Sequence, residues 1–316
     1  MQSLDNNLKA IFLIILGMFV FSIQDALIKY VSDSINIYVI YIFRSLFGLL
    51  VIIVYCKIAK IKITLRTYYP ITTLIRVTGF FLGFSLYYFS LSKISLPEAV
   101  TLFFVSPFFV TIASKFIIGE QVGIYRWSAI LIGFFGVYLV LNPDFNNFNI
   151  YSLFPIACAF FYAFTVVIQK KTSDHDSLFT QIIHTYMSAI FFSIIIYVII
   201  KNLTFSPHSI SEYNFLLMSW KIDTISSFFI LLIIGITGVI GFFSLFGAYR
   251  IGSPSSIAPY EYSLIIWSII IGYFVWNDYL TFKGLIGLFL ILIASFFTLY
   301  REFKLKVKIN TDKPIR

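Results

Sequence analysis

Charge is scarce in this sequence. Of 316 residues only 12% are Asp, Glu, Lys or Arg, about half the share found in ordinary soluble domains. Hydrophobic residues reach 59% and the mean hydropathy is +0.93, too apolar to cover a surface in water, so a soluble globular fold is excluded. Cysteine is nearly absent as well. Cys56 and Cys158 stand apart in apolar context, outside any Cys-x-x-Cys or Cys/His grouping, and read as packing residues rather than as a disulfide or metal site. The three histidines, His175, His184 and His208, sit on separate segments. No G-x-S-x-G, H-E-x-x-H or G-x-x-x-x-G-K-[ST] occurs, which makes a membrane-embedded enzyme only a distant alternative and implies neither metal nor cofactor.

Acidic residues are also few, 14 against 23 Lys and Arg, and the net charge of +9 raises the question of nucleic acid. The basic residues cluster at the ends of apolar runs, where an anionic membrane surface holds them, so membrane lipid is the expected partner and nucleic acid is not. What the sequence has in abundance is uninterrupted apolar length. Runs of about 20 residues suit membrane-spanning helices, and their lack of polar alternation excludes a membrane β-barrel. Expected spans lie near 9–31, 36–56, 69–92, 97–118, 123–141, 150–170, 178–200, 225–249, 255–276 and 281–300. The fold class is therefore an all-α integral membrane protein with ten transmembrane helices. The one long connection, about 201–224, has room for structure of its own.

With the N-terminus inside, inner segments carry 16 Lys and Arg and outer segments 4, which places both termini in the cytoplasm. The Ile-, Lys-, Phe-, Tyr- and Asn-rich usage fits an AT-rich bacterial genome and hence the inner membrane. A repeat organises the chain. A shift of 141 residues lays Phe19 on Phe160, Lys29 on Lys170 and Asp33 on Asp174. A shift of 158 lays Ser95 on Ser253, Glu120 on Asp278 and Gly136 on Ala294. Five spans per half is an odd number, so the halves run inverted, and inverted repeats enclosing a midplane site are a carrier signature. The expected units are 1–145 and 146–303, each a five-helix repeat, with a basic cytoplasmic tail at 304–316.

The stretch Ile94 to Pro143, with its Pro97-Glu98 and Ser106-Pro107, resembles the first repeat of EamA-type carriers of the drug/metabolite transporter superfamily. The stretch from Gly252, containing Pro259-Tyr260-Glu261-Tyr262, resembles the second, and the opening FSIQDALIKYVS and Phe43-Arg44 fit the same pattern. Asn277-Asp278 departs from the Gly-Glu pair frequent at that place in the family. The resemblance implies ten spans in two inverted EamA repeats and movement of a small organic molecule.

Ionisable groups inside a membrane need a partner or a task. Asp25 and Lys29, four residues apart, share a helix face and either pair with each other or face the cavity with Gln24. Arg44 keeps its charge at any working pH, and its planar donor fork suits a carboxylate or phosphate. Glu261 lies inside the ninth span and His184 inside the seventh. Tyr87, Tyr88, Tyr186 and Tyr260 stand near these groups and could stack on a flat or cationic cargo. Ser106-Pro107 breaks the fourth span and marks a cavity wall. Arg76 reads as an interfacial side chain reaching for water, Glu98 as a first-turn acid, and Glu120 and Asp278 as caps of the helices that follow. Gly133, Gly136, Gly284 and Gly287 read as close helix contacts.

The expected function is secondary-active transport, by alternating access, of a small metabolite, zwitterionic or anionic and amino-acid-like. The alternative is a carrier for a larger aromatic metabolite such as S-adenosylmethionine, a nucleoside-like compound or a vitamin. Either form would work as a monomer or homodimer.

Overall fold

In the computed structural model, residues 2–119, 123–141, 149–204, 206–222, 224–252, 254–278 and 280–304 are described, and these are helical with no strand among them. Seven segments are long and apolar enough to cross a bilayer: Leu8–Val31, Ile37–Ile58, Pro70–Leu91, Leu96–Ile117, Ile150–Thr172, Leu178–Lys201 and Ile225–Ile251. Helix α6 (Ile124–Leu141) and the shorter apolar helices Tyr260–Trp276 and Phe282–Ala294 take the places of the three further expected spans. Large apolar side chains such as Phe12, Ile71, Leu131, Phe274 and Phe289 stand exposed around the outside, as a lipid-facing surface requires.

Local chemistry sets the helix ends. Helices α1 (Gln2–Val31) and α2 (Ile37–Ile58) are separated by Asn36, whose Oδ1 accepts the Tyr38 amide at 2.9 Å. Helix α3 (Pro70–Leu91) begins on a proline, whose missing N–H costs nothing there. Ser95 caps α4 (Leu96–Phe103), with Glu98 in its first turn as expected. That helix stops at Phe103 because the ring of Pro107 would collide with the carbonyl four residues before it. The span resumes as α5 (Ser106–Ile117). After α7 (Leu153–Thr172), α8 (Leu178–Lys201), the short loop helices α9 (Pro207–Glu212) and α10 (Asn214–Leu217), and α11 (Ile225–Ile251), the second half breaks in the same way. There α12 (Pro254–Ile257) passes through a 3-10 turn, Ala258–Tyr262, into α13 (Ser263–Trp276), followed by α14 (Phe282–Lys304). The two breaks touch: Phe104 and Tyr262, equivalent at the 158-residue shift, stack with centroids 5.0 Å apart.

The packing is unchanged when the halves are exchanged. Helix α1 lies along α11 as α7 lies along α3, while the self-equivalent pairs α6 with α14 and α2 with α8 meet directly. Left-handed residues end both broken spans, Gly119 (φ 80) in the first half and Asn277 (φ 54) in the second. They are 158 residues apart, and asparagine tolerates this conformation, so the departure at Asn277 leaves the turn intact. Cys56 and Cys158 are free and buried, in agreement with the packing role.

Other expectations are corrected. Asp278 does not cap the helix after it. Its carboxylate instead accepts the Leu96 amide at 3.4 Å, at the start of α4, and Thr281 caps α14. Glu120 and the basic tail beyond residue 304 lie outside the described residues. Gly136 meets the Gly287 carbonyl directly, but Gly133 receives the Phe108 ring and Gly284 faces only its own turn.

Lys29 does not pair with Asp25. Its Nζ donates to the carbonyls of Leu91 (3.1 Å) and Ile94 (2.8 Å), where the free carbonyls at the end of α3 attract a cation. Lys170, its repeat mate, donates likewise to the Arg250 carbonyl near the end of α11. Lys29→Met is therefore expected to lower stability by about 1–2 kcal/mol while cargo affinity stays unchanged. Thermal unfolding in detergent beside a binding isotherm checks this, and a loss of affinity would return Lys29 to the site.

Candidate functional site

A cavity lies between the halves, lined by α1, α2, α3, α4, α7, α11 and α13. Its charged groups are Asp25 of α1 and Arg44 of α2, both buried. These opposite charges do not form an ion pair with one another. Each is held instead by a neighbouring tyrosine of α3. Tyr87 Oη donates to Asp25 Oδ2 at 2.9 Å, and Arg44 Nη1 donates to Tyr88 Oη at 3.0 Å. Gln24 Nε2 also donates to Tyr88 Oη, at 3.1 Å, which leaves the Tyr88 hydroxyl proton for an acceptor. The guanidinium lies 4.9 Å above the Phe242 ring, and its Nε has no hydrogen-bond partner.

Around this pair the wall is aromatic: Phe21, Phe80, Phe84, Phe103, Tyr162 and Phe242. The cavity holds about 30 Å³, room for roughly two water molecules.

The structure thus brings together Asp25, Arg44, Tyr87 and Tyr88, with Gln24 behind Tyr88. Tyr186 lines a smaller void of about 10 Å³ on the other side of Arg44, where Gly48 and Gly238 leave space for its ring and hydroxyl. Glu261 is 0% exposed and stands behind Tyr162, outside the cavity wall. Tyr260, half-buried on the same 3-10 turn, does not line the cavity either. Three expected residues lie elsewhere. Lys29 caps α3, Ser106 is buried in the break and absent from the wall, and His184 Nε2 donates to the Leu65 carbonyl (2.8 Å) near the start of α8.

Arg76 is also corrected, being 1% exposed rather than reaching water. It donates to Thr185 Oγ1 and to the Gln181 carbonyl and so ties α3 to α8.

Sequence reasoning missed Tyr162 and the phenylalanines. The repeat carried the signal. At the 141-residue shift Phe21 falls on Tyr162, and at 158 Phe84 falls on Phe242 and Tyr87 on Leu245; all six line the cavity. Among the described residues no group of three His, Cys, Asp or Glu could hold a metal ion.

Membrane-length helices in two exchangeable halves around a small, sparsely charged cavity define a carrier architecture. The chain matches the EamA-like transporter family over residues 8–142 and 149–300, and it belongs to that family as a multi-pass integral membrane protein. It is 26% identical over 283 residues to the S-adenosylmethionine uptake transporter of Rickettsia bellii, covering 90% of each chain. It is 27% identical over 234 residues to the riboflavin transporter of Vibrio cholerae, covering 73% of this chain and 72% of that one. The pseudopaline exporter CntI of Pseudomonas aeruginosa is 25% identical over 286 residues, 89% of this chain and 93% of that one. A crystal structure with 15% sequence identity superimposes with a TM-score of 0.67 over 96% of this chain and 99% of the other, sharing the fold.

Proposed function

We propose that this transporter is a secondary-active carrier of ten spans in two inverted halves, 1–145 and 146–303. In this reading it resides in a bacterial plasma membrane with both termini cytoplasmic. Its cargo is an amino-acid zwitterion that carries a flat aromatic part, of the S-adenosylmethionine class. One observation carries the reading: Asp25 and Arg44 face one aromatic-walled cavity without an ion-pair contact between them, each held by its own tyrosine. Opposite charges held apart by Tyr87 and Tyr88 are complementary to an ammonium and a carboxylate on one molecule. Phe21, Phe84, Phe242 and Tyr162 would then stack on the ring system. The names of the relatives in Rickettsia and Vibrio, for S-adenosylmethionine and riboflavin, agree with a flat heteroaromatic cargo.

The same geometry ranks other cargo. A plain amino acid satisfies the charges but leaves the rings uncovered, and riboflavin covers the rings but leaves Asp25 and Arg44 without partners. Purified protein in liposomes is expected to exchange labelled S-adenosylmethionine in counterflow. Methionine and riboflavin should compete about tenfold less well, the effect of roughly 1.4 kcal/mol. Exchange of riboflavin with none of S-adenosylmethionine would overturn the reading, and equal competition by methionine would remove its aromatic half.

A further inference from the structure

Glu261 is left over from this account. It sits on the 3-10 turn Ala258–Tyr262 that interrupts the second broken span, is fully buried, and has no Lys or Arg within 4 Å among the described residues. Both hydroxyls that reach it donate to one oxygen: Tyr162 Oη at 2.6 Å and Tyr249 Oη at 2.5 Å, both to Oε1. Oε2 has no hydrogen-bond partner. The charged and titratable side chains on the surrounding elements are engaged elsewhere. On α1, Asp25 bonds Tyr87 and Lys29 bonds carbonyls; on α5, Lys115 lies over the Trp127 ring. On α7, Cys158 is a buried thiol and Lys170 donates to the Arg250 carbonyl; on α11, Arg250 donates to the Asp176 carbonyl. Tyr273 of α13 and Lys283 and Tyr300 of α14 are exposed, and α12 carries no titratable side chain. A carboxylate in apolar surroundings without a cation needs a counter-charge, and the smallest is a proton.

Tyr162 connects this group to the cavity, because the ring that forms part of the wall carries the hydroxyl that holds Glu261. Cargo that takes the Tyr162 hydroxyl as its donor removes one of the two hydrogen bonds on Oε1. The anion loses support, and binding of a proton at Oε2 becomes more favourable. By linkage the proton in turn favours cargo.

Resting on the proposed carrier function, we infer that Glu261 is the proton-coupling site, loaded together with cargo through Tyr162. One proton joins the carboxylate at Oε2 to give the neutral acid when the cavity is filled from one side. The acid gives that proton up as cargo leaves on the other, so one proton and one cargo molecule move in the same direction and no electrons are transferred.

The test uses full-length protein in liposomes with labelled S-adenosylmethionine and a trapped pH dye. Initial uptake is read as the ratio with and without an inward proton gradient, so that changes in absolute rate cancel. A wild-type ratio of about fivefold or more, with lumen acidification on uptake, is expected. In Glu261→Gln the ratio should fall to about one, and Tyr162→Phe should lower it in part. Wild-type counterflow with a ratio of one, or a Glu261→Gln protein that keeps the wild-type ratio, overturns the coupling while leaving the cargo reading in place.

Infrared difference spectra of the same vesicles without cargo, between acid and alkaline buffer, give an arm independent of cargo identity. A protonated-carboxyl band that is present in wild type and lost in Glu261→Gln supports the inference. Its absence in wild type overturns it, even where S-adenosylmethionine proves not to be the cargo.

Discussion

Arg44→Gln is expected to reduce S-adenosylmethionine counterflow about a hundredfold while the protein still inserts and elutes as a folded species. Among the described residues, Arg44 supplies the only guanidinium or ammonium in the cavity wall. Its loss leaves a cargo carboxylate facing Tyr88, Phe80 and Phe242 with no cation. Truncating one member of a buried charge pair costs roughly 2–5 kcal/mol, and about 3 kcal/mol corresponds to a hundredfold. Arg44→Lys should recover part of this, since an ammonium restores the charge but not the planar fork or the seat over Phe242. Asp25→Asn should weaken cargo bearing an ammonium more than cargo lacking one. Unchanged counterflow in Arg44→Gln would remove the zwitterion from the proposal.

The second large effect is on stability. A Cβ at Gly136 would stand 2.7 Å from the Gly287 carbonyl oxygen and 2.8 Å from Ile291 Cγ1. The first of these is backbone and cannot rotate aside. Gly136→Leu must therefore wedge α6 away from α14, the helix on which it packs most extensively. Overpacking costs about 1–3 kcal/mol. The lost helix contact adds to this, so a fall of several degrees in the thermal midpoint is expected by size-exclusion thermostability. Gly79→Ala, whose new methyl would meet only the Phe161 ring at 3.7 Å, serves as the tolerated control. A Gly136→Leu protein as stable as wild type would show that the α6 and α14 contact contributes little.

The spans, their breaks and the repeat were legible because each rests on a local rule. Apolar length gives the spans, Pro107 dictates the stop at Phe103, and the two shifts locate the equivalent halves. Asp25, Arg44, Tyr87 and Tyr88, which line one cavity, stand out in the sequence because charge at membrane depth is rare and needs a partner. Helical spacing fails where side chains are long. Lys29 starts on the same face as Asp25, yet its four-carbon stem carries the ammonium to the end of α3. Arg76 reaches inward because Thr185 and the Gln181 carbonyl belong to α8, a neighbour that spacing along one helix does not reveal. Tyr162 was obscured by the number of aromatic residues, 38 Phe and 21 Tyr among them, and only its repeat mate Phe21 set it apart.

The ring-to-ring meeting of Phe104 and Tyr262 has a mechanical consequence. Each interrupted span rests on the other at this stack, so in the proposed carrier a movement of one break would withdraw a surface that steadies its mate. In the proposed carrier the vectorial sense would come from the cargo and proton gradients taken together and not from the protein scaffold.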